Sequence, residues 1–224
     1  MELNTVEKFL LIAQHPEKGR FTISEIHIKY GIIGALLMEM SLVETIDIEK
    51  DRLILKNQKI ISDPVTKEIS LIIKNSKKPR KVKYWITRLS RKSLKYKWTF
   101  LEGLVKKKLI RIENKKFLGL IPYRRNYLVE SKTRYNLIQE LKKNILSRRD
   151  ISNENIVLLG LIEACKMHKI ISSDRDELKK IKKELKVIIK ESPIAGTVDK
   201  TIREVQAAIV VALVASTVVT SSGS

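Results

Sequence analysis

Residues 31–43 contain hardly any polar side chains, and this stretch constrains the fold more than any other part of the chain. It reads GIIGALLMEMSLV, with Glu39 as its one charged residue. A helix that is apolar on every side offers no face to water, so other elements must enclose it. We therefore predict a helix over residues 32–43 at the centre of the core. We expect a neighbouring Lys, Arg or backbone N–H to satisfy the Glu39 carboxylate.

Helices and hairpins flank this central helix in the sequence. Asn4 and Glu7 have the spacing of a capping box, which predicts a first helix that runs to Ala13. Helical periodicity predicts helices over residues 135–146, 155–167 and 174–190, and a final apolar helix. Alternating residues predict a β-hairpin around Glu49-Lys50-Asp51 and another over residues 110–120, with its turn at residues 114–116. The expected fold class is mainly α, a single domain over residues 1–224 with short β-hairpins.

The chain carries a large excess of positive charge. Its 45 Lys and Arg residues against 25 Asp and Glu residues give a formal net charge of +20. Eleven basic residues and no acidic one lie between Ile69 and Leu101. Interleaved with them are the aromatic residues Tyr84, Trp85, Tyr96, Trp98 and Phe100. Cations beside aromatic side chains are typical of surfaces that bind an anionic membrane or a nucleic acid.

The N-terminus and the cysteine content indicate an intracellular protein. Glu2 and Glu7 flank the first apolar residues, where a signal peptide would carry basic ones. Cys165 is the single cysteine, which excludes an internal disulfide and a Cys-based zinc site. The last apolar run, residues 207–220, has 14 residues, whereas a membrane-spanning helix needs about 20. We expect a buried helix there and a cytoplasmic location.

The residue types needed for catalysis do not form a recognisable pattern. Gly31 and Gly34 lack the third glycine of a phosphate-binding loop, and close helix packing explains them better. The three histidines are scattered along the chain and do not have the spacing of metal ligands. Cys165 and His168 lie three residues apart, but an isolated cysteine in an apolar helix is typical of packing. We expect a protein that is not an enzyme and binds neither a metal nor a cofactor.

Blocks of sequence along most of the chain resemble the Golgi phosphoprotein 3 family, and its shorter bacterial members in particular. They are residues 3–11 with 17–19, 31–40 including Glu39, 104–109 with 117–122, 158–162, and 204–214. The resemblance implies a mostly helical domain without enzymatic activity that binds peripherally to membranes carrying phosphatidylinositol 4-phosphate. It also implies a cytosolic membrane face as the location and an adaptor role towards the cytosolic tails of membrane proteins.

The resemblance also indicates where a lipid headgroup would bind. Ser24 and Ile33 stand where the family has a lipid-contacting Trp and Arg, and Leu94 and Lys97 stand at two further headgroup arginines. Only Lys97 keeps a charge. The resemblance therefore implies attraction to anionic lipid in general more strongly than a pocket specific for phosphatidylinositol 4-phosphate. Nearby cations and an interfacial aromatic residue complete the candidate site, which consists of Lys97, Lys95, Arg91, Lys92, Ser24 and Trp85.

Other functions fit the same features. A helix followed by a hairpin occurs twice, as in winged-helix proteins, so the basic segment could instead follow a nucleic-acid backbone. A third hypothesis is an interaction scaffold whose charge only keeps it soluble. The apolar residues Phe117, Leu118 and Leu120 of the second hairpin are suited to pairing with another copy of the chain, or to a tight core contact.

Overall fold

The computed structural model describes residues 2–49, 52–56, 63–192 and 194–221, which are 64% helical and include ten helices and two small antiparallel sheets. The helices are α1 (Thr5–Ala13), α2 (Glu25–Leu42), α3 (Pro64–Lys74), α4 (Val82–Ser90), α5 (Ser93–Lys106), α6 (Ser131–Ser147), α7 (Asn153–Ala164), α8 (His168–Ile171), α9 (Arg175–Glu191) and α10 (Ala195–Ser221). The strands are β1 (Ile46–Glu49), β2 (Arg52–Leu55), β3 (Arg80–Lys81), β4 (Ile110–Phe117) and β5 (Ile121–Leu128). The mainly α class with short hairpins is confirmed.

Helix α2 lies at the centre of the core, where it packs against α1, α7, α10, α4 and α5. Its apolar part is buried as predicted, but the helix begins at Glu25, seven residues before the predicted start. The extended backbone of Ser24 precedes the first turn. Residues 25–29 are mostly polar because this part of α2 reaches the surface, so the apolar pattern starts later than the helix does.

The N-terminus of α1, which includes Glu7, lies beside Glu39 of α2. The Oδ1 of Asn4 accepts a hydrogen bond from the Glu7 backbone N–H at 2.9 Å, and the predicted capping box is complete. The Glu39 carboxylate accepts a hydrogen bond from the backbone N–H of Thr5, as expected for a buried acid. Burial raises the pKa of Glu39 to about 7, and the negative charge of Asp63 adds to this effect.

Close packing around Gly31 holds α1, α2 and α7 together. A Cβ atom at this position would overlap the Phe9 ring and lie 2.9 Å from the Cys165 sulfur. Only glycine therefore lets the three helices approach this closely. Cys165 is buried, and burial raises the pKa of its thiol well above the ordinary value.

Both predicted hairpins are present, with two differences. In the first, Ile46 pairs with Leu55, and β3 adds a third strand that the sequence did not indicate; Lys50 and Asp51 lie outside the described residues. In the second, β4 and β5 pair over eight residues each, from Ile110 opposite Leu128 to Phe117 opposite Ile121. Its turn is therefore at residues 118–120, where Gly119 has a φ of +74°, and the prediction of a turn at residues 114–116 is wrong.

The apolar run at residues 207–220, predicted to be a buried helix, is helical, but most of its described side chains are not buried. Within this run Ile209 is buried, whereas Val210, Val211 and Val214 are exposed, and the side chains of residues 215–220 lie outside the described residues; the buried residues Val198, Ile202 and Val205 of α10 precede the run. In the part of the chain described here, none of the helices combines the length and the apolar character that crossing a bilayer requires.

Candidate lipid-binding surface

An open cavity of about 290 Å³ lies between the first half of α2, the end of α4 and the start of α5. We call it the headgroup cavity; its lining residues are Glu25, Ile28, Lys29, Ile32, Ser90, Arg91, Ser93, Leu94 and Lys97. Three cations and one carboxylate thus surround an apolar floor. This combination suits an anionic group attached to an apolar body.

Lys97 lies in this cavity with its charge already paired. The residue is only 8% exposed, and its Nζ atom lies 2.7 Å from Oε2 of Glu25. The Lys97 ammonium also lies 5.2 Å from the centre of the Trp98 ring. The Glu25 side chain is largely exposed, so this carboxylate can move into solvent when another anion approaches Lys97.

Lys92 and Lys95 are exposed beside the headgroup cavity and do not line it. Both ammonium groups donate to the carboxylate of Glu68, each at 2.7 Å. The two hydrogen bonds lower the pKa of Glu68 from its ordinary value. Glu68 directly precedes the segment without acidic residues, and it halves the charge of this lysine pair.

Arg91 and Lys29 are the cations of the headgroup cavity that have no acidic partner in the described residues. Arg91 is exposed just after α4, and Lys29 is half-buried one turn after Glu25 on α2. The sequence prediction missed Lys29 because it placed the start of α2 after this residue. The signal that could have found it is the four-residue spacing of Glu25, Lys29 and Ile33 on one helix.

The other residues of the predicted site are in different environments. Ser24 is exposed at the start of α2, with Oγ 2.8 Å from Nδ1 of His27. Ile33 is fully buried in the core, and Leu94 lies exposed at the rim of the headgroup cavity. Trp85, expected at the interface, is only 1% exposed because it packs in the core on the inner side of α4. Trp98 is the half-buried aromatic residue beside this cavity.

The second hairpin has an exposed apolar tip. It consists of Phe117 (59% exposed), Leu118 (80%), Leu120 (83%) and Ile121 (61%), and we call it the hairpin tip. Behind this hairpin tip, the two strands carry the cations Arg111, Lys115, Lys116, Arg124 and Arg125. Glu113 is the one acidic residue on these strands, and it pairs with Arg111 and Lys115. Exposed apolar residues in front of a cationic band are typical of a membrane-contacting loop.

Trp98 connects the headgroup cavity to this hairpin. The Lys97 ammonium lies 5.2 Å from the centre of its ring, and the Arg124 guanidinium lies 5.0 Å from it. Arg124 is on β5, opposite Asn114 and three residue pairs from the hairpin tip. Trp98 therefore contacts one cation of the headgroup cavity and one cation of the hairpin.

Within the described residues, no group of three or more His, Cys, Asp or Glu side chains could hold a metal ion. A comparison with curated proteins gives no match. The family model of Golgi phosphoprotein 3 (GPP34) matches residues 6–205, which is most of the chain and includes the headgroup cavity and the second hairpin. The chain therefore belongs to the Golgi phosphoprotein 3 family.

Proposed function

We propose that the protein is a non-catalytic peripheral membrane protein that binds phosphatidylinositol 4-phosphate or another anionic lipid. Membership of the Golgi phosphoprotein 3 family supports a non-enzymatic role. The observation that carries the proposal is the headgroup cavity, where Arg91 and Lys29 lie beside apolar residues and have no acidic partner among the described residues. Phosphoinositides are lipids of the cytosolic leaflet, so we place the protein on that face.

In this proposal the lipid phosphate binds between Arg91 and Lys29. An arginine can donate two parallel hydrogen bonds to a phosphate, and a lysine adds a point charge. Hydrogen bonds to charged groups contribute about 1.5–3 kcal/mol each. Lys97 joins them when the phosphate replaces the Glu25 carboxylate, because the largely exposed Glu25 side chain can return to solvent.

The hairpin tip supplies the apolar part of the interaction. Burying one leucine side chain in hydrocarbon is worth about 1.5–3 kcal/mol, and each cation near an anionic leaflet adds about 1 kcal/mol. Several such contributions hold a protein on a membrane reversibly. A protein held in this way can act as an adaptor that contacts the cytosolic tails of membrane proteins.

Vesicle sedimentation tests the proposal. We expect the protein to bind vesicles of neutral lipid with added phosphatidylinositol 4-phosphate more tightly than vesicles with the same total charge in phosphatidylserine. The double variant Lys29→Glu/Arg91→Glu should bind both at least about tenfold more weakly, because two ionic contacts of 1 kcal/mol or more are lost. Lys132→Glu/Lys143→Glu is the matched control, with the same charge change at exposed positions of α6.

Two results would contradict the proposal. One is equal binding to neutral and anionic vesicles at moderate salt. The other is an equal loss of binding in both double variants, since binding would then follow the net charge alone and not the headgroup cavity. A gel shift with duplex DNA and with RNA that showed tighter binding than any vesicle would favour the nucleic-acid hypothesis instead.

A further inference from the structure

A second cationic cavity is formed by helices other than those of the headgroup cavity. It opens between the end of α7, the short helix α8, the exposed side of α9 and the middle of α10, and its volume is about 480 Å³. We call it the lysine cavity; its lining residues are Glu163, Lys166, His168, Lys169, Leu178, Lys182, Lys186 and Gln206. It shares no lining residue with the headgroup cavity.

The four lysines reach this cavity from two sides. Lys182 and Lys186 are one turn apart on α9, so they project from the same face of that helix. Lys166 and Lys169 come from the junction of α7 and α8, where the left-handed backbone of Lys166, with a φ of 54°, turns the chain. The two pairs therefore line one concave space from different elements, and their like charges repel one another.

These lysines are exposed, and none of the four has an acidic partner within ion-pair distance in the described residues. The one carboxylate in the lining, Glu163, is already engaged, because its Oε2 lies 2.7 Å from Nε2 of the buried His168. The hydrogen bond from His168 holds the pKa of Glu163 below its usual range, and the charges of Lys186 and Lys182 act in the same direction. In the headgroup cavity, by contrast, Lys97 is paired with Glu25.

We propose that the lysine cavity binds a ligand with two or more phosphate groups, either a soluble molecule or a multiply phosphorylated headgroup. A cluster of four unpaired ammonium groups is neutralised best by an anion that carries several charges. The amide of Gln206 adds a neutral hydrogen-bond donor, and Leu178 adds apolar contact. The volume of the cavity exceeds that needed for a single phosphate ion. The site is independent of the proposed function, because it uses different residues on different helices.

Calorimetry with inorganic pyrophosphate tests this site. We expect pyrophosphate to bind with one-to-one stoichiometry and more tightly than inorganic phosphate at the same ionic strength. Lys182→Gln/Lys186→Gln should weaken pyrophosphate binding at least about tenfold, since each charge-assisted contact is worth 1 kcal/mol or more. Lys183→Gln/Lys190→Gln is the matched control, because it removes the same charge from exposed positions of α9 outside the cavity. Thermal melting curves verify that both variants are folded.

The outcomes separate the site from general charge attraction and identify the source of the phosphate. Loss of pyrophosphate binding in the cavity variant alone supports the site. An added loss of binding to vesicles that carry a bisphosphorylated inositol lipid assigns it to a headgroup, and unchanged vesicle binding assigns it to a soluble ligand. Equal losses in the two variants, or no saturable binding of pyrophosphate by the wild type, would overturn the proposal. The lysine variants leave Lys29 and Arg91 unchanged, so the pyrophosphate results test this site separately from the proposed function.

Discussion

Helix α2 and the hairpin tip are both rich in large apolar residues, yet the two regions differ in how far these side chains are exposed to solvent. From Ile28 to Met40 the apolar residues of α2 are buried, and five other helices pack against α2, whereas the hairpin tip is mostly exposed. The difference shows that apolar composition alone does not tell which residues stabilise the fold. Residues of α2 contribute to the free energy of unfolding, and residues of the hairpin tip are available for a surface outside the protein.

The same substitution in the two regions gives the largest contrast. Leu36→Ala should lower the free energy of unfolding by about 3 kcal/mol, because it removes buried apolar contacts and leaves a cavity. Leu120→Ala should change it by less than about 0.5 kcal/mol, because that side chain is already in water. Urea unfolding measures both values, and similar losses in the two variants would refute the distinction between the regions.

Vesicle binding should show the reverse order. Leu120→Ala should weaken binding to anionic vesicles several-fold, since it removes apolar area that enters the bilayer. Leu36→Ala, measured at a temperature where it is folded, should bind like the wild type. If Leu120→Ala bound with wild-type affinity, the hairpin tip would have no part in docking.

The charged residue in the buried part of α2 predicts a pH effect. The pKa of Glu39 is raised to about 7, so between its unfolded pKa of about 4.5 and pH 7 the folded state holds more protons than the unfolded state. Stability therefore falls as the pH rises through this window. We expect Glu39→Gln to remove about 3 kcal/mol of this decline, because a neutral amide has no proton to lose.

Unfolding curves from pH 4.5 to pH 8 measure this effect. The hairpin variant Leu120→Ala is the control, because it leaves Glu39 untouched and should keep the wild-type slope. A Glu39→Gln protein with the same slope as the wild type would show that another group controls the pH dependence in this range.

Substitutions of one glycine in each region test the comparison through the order of their effects on stability. Gly119 needs its left-handed backbone but has open space around it, so Gly119→Ala should cost about 1 kcal/mol and Gly119→Asn less. Gly31 lacks space, so there the order should reverse, with Gly31→Asn more destabilising than Gly31→Ala. Thermal unfolding of the four variants gives the ranking. If Ala and Asn ranked in the same order at both positions, then either backbone conformation or space would limit both glycines, and the comparison would be wrong.

The sequence predicted those features of the fold that depend on local pattern. The apolar run located the buried part of α2, and the spacing of Asn4 and Glu7 located the start of α1. The first turns of α2 were missed because Ile26, Ile28 and Tyr30 alternate there with polar residues and do not follow a helical period, and the turn of the second hairpin was misplaced because residues 114–116 are polar and the true turn at 118–120 is apolar. Local composition predicts a strand or a turn poorly where an apolar segment remains exposed.

The candidate site could be predicted only in part, because its electrostatics depend on distant residues. Glu68 pairs with Lys92 and Lys95 across 24 and 27 residues, and Glu25 pairs with Lys97 across 72. A count of charges along the chain cannot show these pairs. The resemblance did locate Lys97 and Leu94, and both line the headgroup cavity. Trp85 and Trp98 look equivalent in sequence, and only the packing of α4 and α5 shows that Trp85 faces the core.

Cys165 gives the molecule a built-in reporter. It is the single thiol of the chain, and it is enclosed where Phe9 meets Gly31. An alkylating reagent in solution can reach its sulfur only when these helices separate, so the labelling rate measures how often that junction opens. Mass spectrometry of the native chain, with and without vesicles, would therefore show whether lipid binding tightens or loosens the interior, without an introduced probe.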